Sequence, residues 1–307
     1  MTRSSHVRGY LLVLAATVLW STLGAITRIL LDRYHFPPLS IPFLRSALAS
    51  TAFFIGLLFL RRDLLRPPPG TLRQLVVLGV FGVAAFYVSL TKGVELAGIA
   101  LLSVLAYMAP TWVSIVGALF LNEPLTPRKI VALALSLAGC ALAVKVYDPA
   151  AMRLSLPGIL AGLSASVGYA FFAVFSKTLN GKCDSRTMLM YAYGIAAVVL
   201  LPLQGQGLQT ALQPATWPFL VAMVAGPTLG AWMLFSIALR WVPVSNATII
   251  TSVDAVFSNI IAYALFSELL DFPQMIGGAL ILAAVILLQI EPAKAEQPSP
   301  ASNHLTT

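Results

Sequence analysis

The sequence predicts an all-α integral membrane protein with ten transmembrane helices, laid out as two inverted five-helix repeats around a central cavity. Three observations predict this class: the composition, the regular return of apolar stretches of about twenty residues, and a likeness between the two halves of the chain. Of 307 residues, 59% are hydrophobic and 10% are charged, whereas about a quarter of an ordinary soluble domain is charged. Too few charged residues exist to coat such a core in water, so lipid must be the solvent. Crossing about 30 Å of hydrocarbon as a helix takes roughly 20 apolar residues, because every backbone group has to bond within its own segment.

The first span, 10 to 31, follows Arg3 and Arg8 and begins like a signal peptide, but it runs past Trp20 without a small-residue cleavage site, so it is read as a retained span. The second, 39 to 60, carries Arg45 about two turns in, read as a snorkelling or paired structural charge, and ends at RRDLLRPPPGT. The third and fourth are placed at 72 to 91 and 97 to 121; Pro110 removes a backbone donor and should bend the fourth near its middle. FLNEPLT then separates the fourth from the fifth, at 128 to 146. The sixth and seventh are placed at 157 to 178 and 187 to 203. The eighth, 216 to 239, holds Pro227 within AGPTLGAW, with the same bend expected. Either proline kink serves a cavity or simply packing. The ninth, 244 to 266, bears Asp254, and the tenth spans 273 to 290. The polar, Pro/Ser-rich remainder, 291 to 307, should be a disordered cytoplasmic tail.

Ten crossings leave both termini on one side. With that side cytoplasmic, the inner segments hold Arg3, Arg8, Arg61, Arg62, Arg66, Arg73, Arg128, Lys129, Lys177, Lys182, Arg186, Arg240 and Lys294. The outer ends hold only Arg28, Arg33, Lys92, Lys145 and Arg153, so the bias favours both termini inside. The same scatter of charges explains the net +8 without nucleic acid, since no basic stripe interleaves with aromatics.

Glu268 in LFSELLD follows Glu123 in FLNEPLT by 145 positions, and both glutamates are read as helix-end anchors. The same offset pairs Ala134, Leu135, Leu137, Ala138 and Leu142 with Ala279, Leu280, Leu282, Ala283 and Leu287, while a slip to 149 pairs Trp20 with Tyr169 and Arg28 with Lys177. The halves, 1 to 150 and 151 to 290, each hold five spans. Five is odd, so the second half starts on the opposite side of the bilayer, an arrangement that recurs in transporters with a site near the midplane.

The order of VLWST, AYMAPTWVSIVGALFLNEPLTPRKIVALALSLAGCALAV and ALRWVPVSNATIITSV resembles the drug/metabolite transporter superfamily, specifically its EamA-type ten-helix members. VLWST (18 to 22), AYMAP (106 to 110) and GAW (230 to 232) are most similar to the YddG-type amino-acid exporters. The resemblance implies a helical basket in which spans 1, 3, 4, 6, 8 and 9 surround the cavity while 5 and 10 buttress it. This chain departs from the pattern where Pro110 has Ala255 as its counterpart and where Asp254 stands in the middle of span 9.

Polar side chains in a membrane helix are costly unless they face the bundle interior or water, so polar residues at helical spacing mark an inward face. Ser103, Tyr107, Pro110 and Ser114 form such a stripe in span 4, and Thr248, Ser252, Ala255 and Asn259 mirror it in span 9. The stripes either line a cavity or serve close helix packing. Trp20, Tyr87, Tyr107, Trp112, Tyr169 and Trp232 lie well inside their spans, away from the interfacial belts, and suit either an apolar or aromatic substrate or core filling. Asp254 would bind a substrate ammonium, carry a coupled proton, or be structural. Arg28 and Lys177 lie near span ends, where snorkelling competes with gating or carboxylate recognition.

His6, His35 and His304 all lie outside the spans, the chain has neither H-E-x-x-H nor a Walker motif, and GLSAS lacks the final glycine of a hydrolase elbow. Cys140 and Cys183 suggest neither a disulfide nor a metal cluster. No cofactor is expected. The expected function is secondary transport, by alternating access, of amino acids or similar small amphipathic metabolites out across a bacterial inner membrane. Export of other drugs or metabolites is the alternative in kind; an intramembrane enzyme or a scaffold is the alternative in class.

Overall fold

The structure is a computed structural model that describes residues 3–148, 155–266 and 271–289. Glu268, Arg153 and the expected tail lie outside the described residues. Among those described, the chain is helical throughout its regular structure. The helices are α1 (Arg3–Tyr34), α2 (Ser40–Leu60), α3 (Leu72–Gly98), α4 (Leu101–Phe120), α5 (Pro127–Ala143), α6 (Leu156–Leu179), α7 (Ser185–Leu203), α8 (Pro214–Ala238), α9 (Val244–Leu265) and α10 (Phe272–Gln289). Eight are long and apolar enough to cross a membrane. The other two, α5 and α10, have 17 and 18 residues, at the short limit for a crossing. Among the described residues ten helices occupy the ten expected spans, eight of them full-length and two short.

Exposed apolar side chains such as Phe59 at 77% and Phe120 at 75% leave an outer surface that only lipid satisfies. Boundaries follow local chemistry. Thr126 and Ser155 cap α5 and α6 by accepting from the Lys129 and Gly158 amides, each cap being followed by a proline that needs no donor there. The sequence places a loop after residue 91, but the helix of α3 continues to Ala97. It turns at Gly98, whose φ of +78° is open to glycine.

Contacts between helix ends define two faces. At one, Gly9 of α1 lies against Trp241 and Val242 beyond α8, Thr187 and Tyr191 of α7 donate to the Leu64 and Leu65 carbonyls beyond α2, and Glu123 beyond α4 meets the start of α9. At the other, Tyr147 donates to Asp271 (2.6 Å), Ser155 donates to the Leu96 carbonyl (2.9 Å), and Asn259 and Gln274 both donate to the Ala143 carbonyl. Consecutive helices are therefore antiparallel, and α1 and α6 begin at opposite faces. That is the inversion.

Packing repeats the symmetry. α1 lies on α8 and α9 as α6 lies on α3 and α4, while α2 pairs with α7 and α5 with α10. The α5–α10 crossing brings backbones together at Gly139 and Gly277, where a Cβ on either would lie within 2.7 Å of the other's carbonyl oxygen. Their counterparts at the 145-residue offset, Ala284 and Ala132, are likewise small and fully buried.

Candidate functional site

Four helices that meet in the middle of the bundle are interrupted there. α4 breaks at Tyr107–Met108, and a new helix starts at Ala109 with Pro110 in its first turn. α9 breaks into a tight 3₁₀ turn at Thr251–Val253, 145 positions from that point, and restarts at Asp254. The bend of span 4 was legible in Pro110. The matching break in α9 has no proline and was not, because Ala255 carries no such signal.

α3 and α8 are interrupted differently. Each contains a π-helical segment, Leu78–Ala85 and Val224–Gly230, again related by the repeat. Pro227 sits inside the second, so the kink expected of it is a widened turn. Thr228 donates from Oγ1 to the Met223 carbonyl five residues back (2.8 Å), and the Pro227 carbonyl accepts from a side chain of α2. In the first segment Gly82 stands where Pro227 does, pressed against the backbone of Phe172.

Between these interruptions lies a cavity of about 260 Å³. Trp20, Tyr87, Ser103, Tyr107, Pro110, Tyr169, Trp232, Ser252 and Asp254 line it, all singled out in the sequence. Ser114, Thr248 and Asn259 do not. Thr248 donates back to the Val244 and Ser245 carbonyls of its own helix, and Asn259 ties α9 to the end of α5. Ser114 is buried in the bundle, beyond the break that turns the upper part of α4 away. Period alone cannot follow a helix through a break, which is why both stripes fail at their far ends.

One wall is aromatic. The rings of Trp20 and Trp232 lie 4.6 Å apart, Tyr169 is 5.9 Å from Trp232, and Phe86 is 6.0 Å from Tyr169. The Tyr169 hydroxyl meets Thr251 Oγ1 at 3.4 Å, linking this wall to the break in α9. Trp112 faces away from the cavity and donates from Nε1 to Ser166 Oγ (3.0 Å), joining α4 to α6.

Asp254 is the first residue of the restarted half of α9, directly after the 3₁₀ turn. Ser258 donates to it over 3.4 Å. Arg45, read from the sequence as a snorkelling or paired structural charge, was not expected at the cavity. It is only 5% exposed and lines the cavity. Its Nε donates to Thr228 Oγ1 (2.6 Å), its Nη2 to the Pro227 carbonyl (3.5 Å), and its guanidinium lies 4.9 Å from the Tyr87 ring centre. Snorkelling is thereby overturned: the side chain points into the bundle. Leu23, Phe86, Leu90, Leu102 and Thr251 complete the lining. Thr251 and Leu23 lie one turn from Asp254 and Trp20, a signal available in the sequence.

Arg28 and Lys177 stand apart from the cavity. Arg28 pairs with Asp32 at 3.6 Å on an exposed surface, a contact of about 0–1 kcal/mol. Lys177 donates to the Leu239 carbonyl (2.6 Å) and the Val242 carbonyl (3.2 Å), satisfying the end of α8. It borders a larger open groove of about 590 Å³ with Lys182, Asp184 and Arg240 at the face where α1 begins. Asp184 there is held below the usual carboxylate range by the Arg186 hydrogen bonds, against the opposing effect of burial. Among the described residues no cluster of His, Cys, Asp or Glu has a metal-binding arrangement.

The model of the EamA-like transporter family matches the chain twice, at residues 7–145 and 156–290. The chain belongs to that family. This EamA-like transporter is 28% identical over 278 residues to an uncharacterized transporter of Archaeoglobus fulgidus, covering 89% of this chain and 94% of that protein. It is 26% identical to a probable terminal-alkyne amino-acid exporter of Streptantibioticus cattleyicolor, over 88% of this chain and 90% of the relative. An S-adenosylmethionine uptake transporter of Rickettsia felis is 25% identical over 75% of this chain and 74% of its own length. A solved crystal structure shares the fold with a TM-score of 0.77 at 20% identity, over 94% of this chain and 97% of the other. The protein is thus a multi-pass membrane transporter and not an enzyme.

Proposed function

We propose that this EamA-like transporter exports amino acids, aromatic ones included, or similar small amphipathic metabolites by alternating access, with the halves 1–150 and 151–290 rocking around the midspan cavity. The observation that carries the reading is the cavity itself: aromatic on one wall, with Arg45 and Asp254 both on its lining and no ion pair between them. At about 260 Å³ it is smaller than the roughly 300–1,000 Å³ of a cleft for drug-sized ligands. That size favours a single amino acid over a nucleoside conjugate such as the cargo named for the rickettsial relative. The amino-acid exporter among the relatives points the same way.

The interrupted helices supply the moving parts, since repeat-related breaks in α4 and α9 let the two ends of each helix tilt separately. In its membrane, taken as a bacterial inner membrane, the lysine and arginine bias puts both termini in the cytoplasm.

Proteoliposomes containing the purified chain test the reading. Counterflow of labelled phenylalanine, competed by other unlabelled amino acids, is expected; no flux for any amino acid would reject it. Asp254→Asn should cut the flux about tenfold or more, or abolish its response to an imposed pH gradient. Unchanged flux together with an unchanged pH response would make Asp254 purely structural.

A further inference from the structure

We propose that Arg45 is the carboxylate-binding residue of the cavity, so that the transported molecule must carry an acidic group. The inference rests on the central cavity being the transport site and deepens that reading by naming the group recognised.

Arg45 is 5% exposed, and among the described residues no carboxylate pairs with it. Its visible partners, Thr228 Oγ1, the Pro227 carbonyl and the Tyr87 ring, are all neutral. A guanidinium has five N–H donors, and these partners occupy two of them. A cation left in a bundle without a counter-ion is costly, and such residues mark substrate paths. The neutral partners instead fix its direction: Tyr87 covers one face of the plane while Thr228 and Pro227 hold the Nε edge. The remaining donors are thereby committed to one side, the arrangement that suits a planar carboxylate taken by two parallel hydrogen bonds.

The surroundings have the same polarity. The indole N–H groups of Trp20 and Trp232, which line the same cavity, are buried with no acceptor in the protein. Two donors of that wall are thus left without acceptors in the protein. Asp254 is the acidic group on the lining, and it is engaged by Ser258. A molecule with a carboxylate, an aromatic or aliphatic body and a second, basic group matches the lining point for point.

The π segment explains how the arginine is held. The Pro227 carbonyl and Thr228 Oγ1, both within the widened turn of α8, accept from the Arg45 side chain of α2. The device crosses the repeat, since Arg45 and Tyr87 come from the first half and Thr228 and Pro227 from the second, so relative movement of the halves must change how Arg45 is presented.

The test compares 3-phenylpropionate, a carboxylate without an amine, with phenethylamine, an amine without a carboxylate. Binding is read as thermal stabilisation of the full chain in detergent, and phenylalanine against phenylalaninamide is compared as competitors of proteoliposome flux. Wild-type protein should bind 3-phenylpropionate at least tenfold more tightly than phenethylamine, and phenylalaninamide should compete at least tenfold more weakly than phenylalanine. Arg45→Gln should weaken 3-phenylpropionate by roughly 10- to 100-fold and leave phenethylamine unchanged, as loss of hydrogen bonds to a charged group does. Arg45→Lys, which keeps the charge without the fork, should fall between. Equal binding of the two probes by wild-type protein, binding of neither, or wild-type affinity in Arg45→Gln would overturn the assignment. If Arg45→Gln does not fold, the wild-type comparison decides alone. Carboxylate-selective binding without amino-acid flux would reject the proposed cargo and keep this assignment, whereas equal transport of phenylalanine and its amide would do the opposite.

Discussion

Glu123→Ala is expected to destabilise the protein by about 2–4 kcal/mol, the range for losing a helix cap and charged hydrogen bonds at a buried site. Glu123 is 8% exposed, and its carboxylate accepts from the amides of Val244 (2.8 Å) and Ser245 (3.2 Å) and from the Ser245 hydroxyl. These are the first residues of α9, so a side chain at the end of α4 caps the helix that is its own counterpart in the other half. Lys129 donates to the same Ser245 hydroxyl (2.8 Å), which itself donates a hydrogen bond to Glu123, and so the charges are linked through one serine. Removing the carboxylate leaves three donors at a buried helix start without acceptors. Glu123→Gln keeps one acceptor and should cost about half as much. Thermal unfolding of purified protein in detergent measures both; an alanine variant that melts with wild type would show the cap to be dispensable.

Gly277→Ala is expected to disrupt the α5–α10 crossing while Gly278→Ala, one residue along, leaves it intact. A methyl group at Gly277 would lie 2.6 Å from the Gly139 carbonyl oxygen, 2.7 Å from the Ala143 amide nitrogen and 2.9 Å from Leu142 Cβ. Two of these are backbone atoms that no rotamer change moves, so the helices must separate, at about 1–3 kcal/mol for one methyl group. In lipid no hydrophobic force pulls the pair back together, and close backbone contact is what holds them. At Gly278 the nearest atom would be a Val256 methyl at 3.7 Å, an ordinary contact. Gly277→Leu should prevent accumulation of folded protein altogether. Monodispersity on size exclusion and melting temperature read the series, and equal behaviour of the two alanine variants would contradict the crossing.

The class of this protein was legible because solvent choice is written in composition: with 10% charged residues no soluble core can be coated. The repeat was legible in Glu123, Glu268 and the residues that follow each. The inward-facing residues near span centres, Trp20, Tyr107, Tyr169 and Trp232 among them, stood out because aromatic and polar groups away from the interfaces contrast with their apolar surroundings. The stripes were misjudged at Ser114, Thr248 and Asn259 because a 3.6-residue period assumes an unbroken helix, and both stripes run across a break. Arg45 was misjudged because position within a span says nothing of direction. An arginine two turns from an interface reaches water in one helix orientation and the bundle centre in another.

The sequence by itself determined the lipid environment, the helical content, the two related halves and the set of residues too polar or too large to face hydrocarbon. The halves follow from residues matched at a fixed offset, and the rest from the transfer free energy of a side chain, which is a property of the residue and its neighbours along one helix. Only the tertiary structure decided the π segments of α3 and α8, the unprompted break in α9, the capping of α9 by Glu123 and the turning of Arg45 toward Tyr87 and Thr228. Those depend on which acceptor a neighbouring helix brings within about 3 Å, and helices far apart in the chain meet only after the bundle has closed.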